Sequence, residues 1–450
     1  MGPRRRNILV RAKGFLFFDS LSGLIKRIRG NQVARNTVWM FLGQGLRIVI
    51  QSVYFVLIAR SLGAGGYGAF IGTCALVAIF APFASLGSGN LLIKNIARQP
   101  GSFNLNWGRA LLMVLLSGSM LFIIVLGAAH FVLPPKISLL LVLLISVSDL
   151  FFARVHELNT QAFQGFERLE KTARITLLPS MLRLFSIAGL SFFIRAPTPV
   201  EWGFLYLLTI MISSAIGVRL VSRAFGGPIF RLARLKTELK EGLYFSIGNS
   251  AATVYNDMDK TMLARLSTLA ATGIYGAAYR LIDVSFTPVM SLLNAAYPGF
   301  FLHGAKGIKG SFSFAKKMFP AAAGYGIAEG ILIIAAAPLL PVILGAQYND
   351  TAVALRWLAP LPFIKSVHYF AADILTGAGF QGARSAVQAL AAFFNVLINL
   401  WLIPAYSWRG AAWSSLASDS LLAISLWSLV HINLTGRKTG KAAEPLTDIS

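Results

Sequence analysis

The chain has 450 residues, of which 56% are hydrophobic and only 13% are charged. This is more apolar surface than a soluble fold buries in one core, so the composition excludes an ordinary water-soluble domain. The formal net charge of +24 would suit a nucleic-acid partner, whereas the single cysteine, Cys74, excludes an intramolecular disulfide and a multi-cysteine metal site. The positions of the 41 lysines and arginines therefore decide between a nucleic-acid-binding and a membrane protein.

Residues 1–36 form a basic segment that the sequence places in the cytoplasm. No small-residue cleavage site follows the first long apolar run, so we expect no cleavable signal. Apolar residues between Phe15 and Ile28 recur at near-helical spacing among basic ones. This pattern is typical of a helix lying in the membrane interface, and a basic tail that only sets orientation explains it equally well.

Long apolar stretches recur through the remainder of the chain, and a stretch of about 18 residues can cross roughly 30 Å of hydrocarbon as a helix. Because backbone groups in lipid must be satisfied internally, the predicted fold class is an all-α polytopic membrane protein. Tryptophans near the span ends are expected at the level of the lipid headgroups. Twelve spans are predicted, at 37–58, 67–89, 109–133, 137–164, 173–194, 202–222, 243–264, 273–300, 319–340, 352–377, 385–403 and 409–432.

The basic residues sort strongly to one side when these spans alternate across the membrane. With both termini in the cytoplasm, 29 of the 41 lysines and arginines fall inside, 5 outside and 7 within spans. The positive-inside rule therefore predicts a multi-pass inner-membrane protein with both termini cytoplasmic. The charge is then explained by topology, and a nucleic-acid partner is not expected. The five outer residues are Arg60, Lys136, Arg195, Arg265 and Arg409.

Two similar segments indicate a doubled unit. Residues 57–70 and 263–279 share a glycine- and tyrosine-containing pattern, and each joins the first two spans of a six-span half. Paired halves are common in secondary transporters. The predicted organisation is a basic segment 1–36, a six-helix bundle 37–222, a cytoplasmic linker 223–242, a second six-helix bundle 243–432 and a cytoplasmic tail 433–450.

Enzyme and metal-site motifs are weak throughout the sequence. Residues 63–68 satisfy the G-x-G-x-x-G pattern, but they lie between two spans with no strand before them, so a tight glycine turn is expected. Five scattered histidines predict no metal site. No nucleophile elbow or paired-carboxylate motif appears, and no cofactor is expected apart from coupling to H⁺ or Na⁺. We therefore expect a protein that is not an enzyme.

Charged residues inside the spans are the informative feature. Seven basic residues facing lipid would cost about 17–25 kcal/mol, more than a typical folding stability of about 5–15 kcal/mol. They must therefore face partners or water in a bundle interior or cavity. Arg154 with Glu157, and Arg280 with Asp283, are spaced to pair on one helix face.

Arg47 and Arg183 lie near the middle of their spans with no acidic residue within four positions. Lys365 has Asp373 two turns along the same face. Lys260, close to a span end and other charges, is expected to snorkel or to pair structurally. Arg47, Arg183, Arg280 and Lys365 are the predicted substrate-binding residues. Candidates for ion coupling are Glu329, Asp373 and Asp283.

The segments Asn36–Trp39, Leu57–Gly63 with Tyr67-Gly68, and Gly273–Leu281 resemble Wzx-type polysaccharide flippases of the multidrug/oligosaccharidyl-lipid/polysaccharide exporter superfamily. This resemblance implies a V-shaped pair of six-helix bundles, as in the multidrug exporters of that superfamily. It also implies a central cavity lined by the first, second, seventh and eighth spans.

The resemblance and the mid-span cations together predict a flippase for undecaprenyl-diphosphate-linked oligosaccharide, acting in O-antigen or exopolysaccharide synthesis by alternating access. Its expected partners are that lipid, the bilayer and polysaccharide polymerase or export machinery. Proline-containing stretches at 285–288 and 359–362 are expected to bend or act as hinges. The alternatives are a drug or cation exporter of the same superfamily, which would line its cavity with acidic residues, and a membrane glycan polymerase or ligase, which would need longer external loops.

Overall fold

The computed structural model describes residues 32–231, 253 and 256–435, with side chains of residues 45–96, 99–231, 253 and 256–435. The remainder of the predicted basic segment, linker and tail lies outside the described residues. The described chain is helical throughout. Its helices are α1 (Gln32–Ser85), α2 (Ser88–Arg98), α3 (Phe103–Val132), α4 (Leu139–Val147), α5 (Ala153–Gly165), α6 (Leu169–Phe193), α7 (Pro199–Phe225), α8 (256–266), α9 (Leu269–Ser285), α10 (Thr287–Gly304), α11 (Ile308–Ala315), α12 (Phe319–Ala336), α13 (Leu340–Leu344), α14 (Asn349–Leu358), α15 (Leu361–Gly377), α16 (Gln381–Tyr406) and α17 (Trp408–Thr435).

Eight helical segments among the described residues are long and apolar enough to cross a membrane, which makes this a multi-pass membrane protein. The first is 52 residues long, enough for two crossings, and contains residues 45–58 of the first predicted span and all of the second. The eight segments are Gly45–Ile96, Pro100–Val132, Leu139–Gly165, Leu169–Phe193, Pro199–Phe225, Phe319–Leu344, Gln381–Tyr406 and Trp408–Thr435.

The predicted span 243–264 lies largely outside the described residues, whereas helix breaks divide the predicted spans 273–300 and 352–377. Gly63, with φ 64° and ψ 174°, divides α1 into two arms where the sequence predicted a separate glycine turn. A positive φ is readily adopted by glycine because it has no Cβ. A π-helical turn, Ser148–Phe152, joins α4 to α5. Helix ends lie at both proline-containing stretches that were predicted to bend, since α9 ends at Ser285 and α14 ends at Leu358.

The tryptophan prediction was wrong at two positions. Trp107 and Trp202 are fully buried, with Trp107 stacked on Phe103 and Trp202 in contact with Phe70 and Tyr206. Trp401 is 70% exposed, as a residue at the lipid interface should be. Burial of an indole against a neighbouring helix depends on packing, which span boundaries do not reveal.

The apolar cores divide the molecule into an N-terminal half, residues 32–231, and a C-terminal half, residues 256–435. One core contains residues of both halves, such as Phe70 and Tyr275. Another, around Trp107, belongs to the N-terminal half, and a third, around Phe370, belongs to the C-terminal half. The two halves therefore share packing over part of their length and have separate cores elsewhere.

The halves meet at the end that carries Arg60 and Arg265, here called the predicted outer end. A Cβ added to Gly68 of α1 would lie 1.7 Å from the carbonyl oxygen of Leu269, and one added to Gly273 of α9 would lie 2.0 Å from that of Ala64. Only glycine permits such close approach of two helix backbones. The two repeated segments of the sequence therefore pack against each other, in a contact here called the α1–α9 crossing.

Further contacts join turns at the predicted outer end. The backbone N–H of Ala64 donates to Oε1 of Gln347 at 3.2 Å, and the Tyr348 hydroxyl donates to the carbonyl of Ala59 at 3.0 Å. Nη1 of Arg265 donates to the carbonyl of Leu133 at 3.3 Å. All three bonds connect the two halves, so this end of the molecule is closed.

Candidate functional site

A cavity of about 160 Å³ lies between the N-terminal and C-terminal halves. α1 forms one wall, and α8 and α9 form the other. Its charged lining residues are Asp257, Lys260, Arg280 and Asp283. The other lining residues are Tyr67, Ile71, Cys74, Ala75, Ala78 and Gly276. The cavity is thus adjacent to the α1–α9 crossing.

Arg280 connects the two walls of the cavity. Its Nη2 donates a hydrogen bond to Oε1 of Gln51 on α1 at 3.0 Å. The predicted local pair with Asp283 was wrong, because Asp283 Oδ1 lies 3.6 Å from Nζ of Lys365 instead. Helical spacing compares residues one turn apart and gives no information on partners from other helices.

Two buried lysines contact one tyrosine beside the cavity. Nζ of Lys260 lies 4.4 Å, and Nζ of Lys365 4.6 Å, from the centre of the Tyr279 ring. Each lysine also has a carboxylate, with Asp257 at 2.6 Å from Lys260 and Asp283 at 3.6 Å from Lys365. The C-terminal wall therefore carries paired charge, which agrees with the structural pairing expected for Lys260.

The N-terminal half presents its arginines differently. The Nε atoms of Arg47 on α1 and Arg183 on α6 are buried and have no hydrogen-bond partner among the described residues. Cζ of Arg183 lies 4.0 Å from the centre of the Tyr206 ring, and the Tyr206 hydroxyl donates to Oδ1 of Asp149 at 3.0 Å. Tyr206 thus positions Arg183 through a cation–π contact, and nearby Asp149 offsets part of its charge.

Arg47, Arg183 and Arg280 form one electrostatic group although they lie on three helices. Arg280 and Arg183 are the charged residues that act most strongly on Arg47. Like charges repel in a medium of low dielectric constant, so such a group is favourable when an anion or water compensates it. The structure therefore brings three of the four predicted substrate-binding residues together, with Lys365 beside them across Asp283.

The three ion-coupling candidates have different surroundings. Both carboxylate oxygens of Glu329 are buried, the Ser285 hydroxyl is close to them, and no ion pair with Glu329 occurs in the described part of the chain. Lys365 is a nearby charge. Asp373 lies 3.5 Å from Nη1 of Arg384, and Asp283 is paired with Lys365. Glu329 is thus the candidate without a close cationic partner.

Sequence reasoning missed a polar network in the C-terminal half. Asp259 accepts hydrogen bonds from Tyr275 and, at 3.2 Å, from Ser415. Nε2 of His368 lies 3.0 Å from Oδ1 of Asp419. These contacts join α8, α9, α15 and α17, as interhelical polar contacts do in membranes. The available signal was that Asp259 and Asp419 are acidic residues within the predicted spans 243–264 and 409–432, where they need partners.

A multi-pass helical fold with charged side chains around a cavity between two halves defines a membrane transporter. Residues 33–302 match the family described as polysaccharide biosynthesis protein, and the chain belongs to this family. It is 21% identical over 414 residues to a protein described as an O-antigen transporter of Escherichia coli K12, which covers 89% of this chain and 97% of that one. It is also 21% identical over 396 residues to a protein described as a low-salt glycan biosynthesis flippase of Haloferax volcanii, which covers 84% of this chain and 79% of that one.

Solved structures show the same fold at low identity. An inward-facing multidrug transporter of the multidrug and toxin extrusion family superposes with a TM-score of 0.72 at 13% identity, over 86% of this chain and 94% of that one. The lipid II flippase MurJ, in an inward closed conformation, gives 0.67 at 12% identity, over 88% and 87%. The predicted resemblance to Wzx-type flippases is therefore confirmed. The protein is a transporter and not an enzyme.

Proposed function

We propose that this protein moves an undecaprenyl-diphosphate-linked oligosaccharide from the cytoplasmic to the outer leaflet of a bacterial inner membrane, for surface or exopolysaccharide synthesis. The observation that carries the proposal is that Arg280 lines the cavity between the halves and that Arg47 and Arg183 lie within electrostatic range of one another and of it. The family and the descriptions of the two relatives support a glycan as the cargo.

The chemistry of this substrate suits the site. Hydrocarbon rejects its diphosphate and sugars, whereas its polyprenyl tail prefers lipid by about 0.8 kcal/mol per CH₂. The head therefore needs a polar cavity with cations, and the tail can remain outside. Arginine binds phosphate oxygens through a planar fork of donors, and Lys365 would add a further positive charge.

The proposed mechanism is alternating access between two six-helix bundles, 37–222 and 243–432, connected by the linker 223–242. Contacts at the predicted outer end support a state closed on that side, in which the head enters from the cytoplasm. Separation of α1 from α9 would then expose the cavity to the outside. The membrane potential favours outward movement of each negative charge by roughly 2.3 kcal/mol per 100 mV.

Glu329 is the proposed site of coupling to a proton, because its buried carboxylate lies free of ion pairs among the described residues. Asp373 and Asp283 fit this role less well, since Asp373 lies 3.5 Å from Arg384 and Asp283 lies 3.6 Å from Lys365 in ion pairs. Lys365, close to both Glu329 and Asp283, would connect the proton site to the substrate site.

Depletion of the protein should trap lipid-linked oligosaccharide in the cytoplasmic leaflet. Supplying Arg47→Gln/Arg280→Gln should restore export at least about tenfold less well than wild type, because two charge-assisted contacts are lost. Arg219→Gln/Arg223→Gln, which removes two exposed arginines of α7, is the matched control and should restore export fully.

Continued export without the protein, in cells with no second flippase, would contradict the proposed substrate. Normal export by Arg47→Gln/Arg280→Gln at equal membrane levels would leave the flippase standing and reject the arginine group as its diphosphate site.

A further inference from the structure

A second cavity, of about 220 Å³, lies at the predicted outer end between α1 and α6. Arg60 and Arg195 are its charged residues, and no carboxylate contributes to its lining. The full lining is Leu57, Arg60, Ser61, Ser191, Ile194, Arg195 and Pro197. The predicted topology places only five basic residues on the outer side, and these two arginines are among them. Two of the five outer positive charges therefore lie at one cavity.

The cavity is formed where two helices are held together. The hydroxyls of Ser61 on α1 and Ser191 on α6 lie 2.5 Å apart in a hydrogen bond. Both arginine side chains are exposed, so their guanidinium groups can reach a ligand. Two forks of N–H donors with hydroxyls between them are suited to phosphate oxygens.

The surroundings place this cavity at the level of lipid headgroups. Phe192 and Phe193, which directly precede the lining residue Ile194, are 83% and 82% exposed. These phenylalanines end the apolar span Leu169–Phe193, and Arg195 follows two residues later, so the arginine lies at the border between hydrocarbon and headgroups. A ligand in this cavity would therefore have acyl chains beside the phenylalanines and its phosphate beside the arginines.

The cavity faces away from the site between the halves. Arg60 follows Arg47 by 13 residues on one uninterrupted arm of α1, which turns the side chain by about 220° and moves it by about 20 Å. An anion held by Arg60 is thus remote from the group around Arg47. This geometry favours a lipid approaching from the bilayer over a substrate in the central cavity.

We propose that the cavity between α1 and α6 binds the phosphate headgroup of a bilayer phospholipid, with Arg60 and Arg195 contacting the phosphate. The assignment to the outer leaflet rests on the predicted orientation, whereas the binding itself does not depend on the transported substrate. Because α1 and α6 also carry Arg47 and Arg183, a bound lipid would hold together two helices of the central site.

Purified protein in detergent should retain phosphatidylglycerol, counted by native mass spectrometry across a lipid titration. We expect R60Q/R195Q to bind it at least about tenfold more weakly, because two charge-assisted contacts are lost. K136Q/R409Q removes two other outer basic residues and should bind as wild type does. The single variant R195Q, altered just beyond the end of α6, should show an intermediate loss even if the double variant does not fold.

Equal phosphatidylglycerol binding by wild type and R195Q would overturn the site. Diacylglycerol lacks a phosphate. If R60Q/R195Q weakened the binding of diacylglycerol as much as that of phosphatidylglycerol, the site would also be overturned, because the arginines would then not be contacting a phosphate. Undecaprenyl diphosphate serves as the competitor, and displacement of phosphatidylglycerol from this cavity at much lower concentration would reassign the cavity to the transported lipid.

Discussion

Arginines within the spans of this chain have two kinds of partner. Nη1 of Arg154 lies 2.7 Å from Oε2 of Glu157, one turn along the same helix, as the spacing predicted. Arg280 instead reaches Gln51 on α1, and Arg183 lies against Tyr206 on α7. The first kind of partner can be read from sequence spacing, whereas the second is set by which helices pack together.

At the residue scale, Glu329→Gln should abolish the dependence of transport on a proton gradient while leaving transport driven by membrane potential. The reason is that the amide keeps the shape of the side chain but cannot exchange a proton. The measurement is flipping of lipid-linked oligosaccharide in vesicles with the pH gradient and the potential imposed separately. Glu170→Gln, at an exposed pair with Arg174, is the control and should retain gradient dependence. Unchanged gradient dependence in Glu329→Gln would contradict a coupling role for this residue.

Among the helices, the α1–α9 crossing depends on missing side chains. Gly68 and Gly72 are four residues apart on α1, and a Cβ on Gly72 would lie 2.9 Å from Cβ of Ala264 on α8, the helix that leads into α9. On α9, a Cβ on Gly276 would lie 3.1 Å from Cγ2 of Ile71. Small residues one turn apart on both helices permit close backbone contact, which is a main source of helix association in lipid.

The crossing predicts that Gly68→Ala lowers stability. The added methyl would overlap the Leu269 carbonyl and force the helices apart, at a cost of about 1–3 kcal/mol. Gly65→Ala is the matched control, because a Cβ there meets nothing within 4 Å. Thermal unfolding of the detergent-solubilised variants measures the effect. Equal Tm values for the two variants would show that the crossing does not stabilise the protein.

For the whole molecule, the connection of the halves at one end is the mechanically important feature. Contacts such as Ala64 to Gln347 and Tyr348 to Ala59 join them at the predicted outer end. The cores around Trp107 and Phe370 instead remain within single halves. Rocking of one half against the other would therefore begin by breaking the outer contacts.

Locking these contacts should stop transport. In a Cys74→Ser background, which has no other cysteine, Ala64→Cys/Gln347→Cys cross-linked through two disulfides by a short bis-methanethiosulfonate should lose nearly all flipping and regain it when a reductant cleaves the disulfides. Ser267→Cys/Ser407→Cys is the control, because those hydroxyls lie 2.6 Å apart within the C-terminal half. Full transport by the linked 64/347 protein would exclude opening at this end.

The orientation can be tested on the same background. Lys136→Cys should react with a membrane-impermeant maleimide in intact spheroplasts, whereas Lys306→Cys should react only after permeabilisation. Both positions are exposed, so labelling reports the side of the membrane and not burial. The reverse pattern would invert the predicted topology and, with it, the leaflet assigned to the lipid site.

Much of the architecture follows from the sequence because lipid imposes strong one-dimensional constraints. Spans must be apolar and helical over a fixed length, and basic residues prefer one side, so the helical fold class could be inferred from local composition. Short stretches such as Gly273–Leu281 carried the family resemblance. The expectation that charged residues within spans avoid lipid also needed no tertiary structure, because it follows from the free-energy cost of placing a charge in hydrocarbon.

The pairing of those charges was decided by the tertiary structure. Asp283 contacts Lys365 rather than Arg280, and Asp373 contacts Arg384 rather than Lys365. The glycines at 63–68 were predicted to form a turn, whereas Gly63 kinks α1 and Gly68 permits the close contact with α9. These outcomes depend on which helices are neighbours and at what distance, and a pattern that repeats along one helix contains no information about the helix beside it.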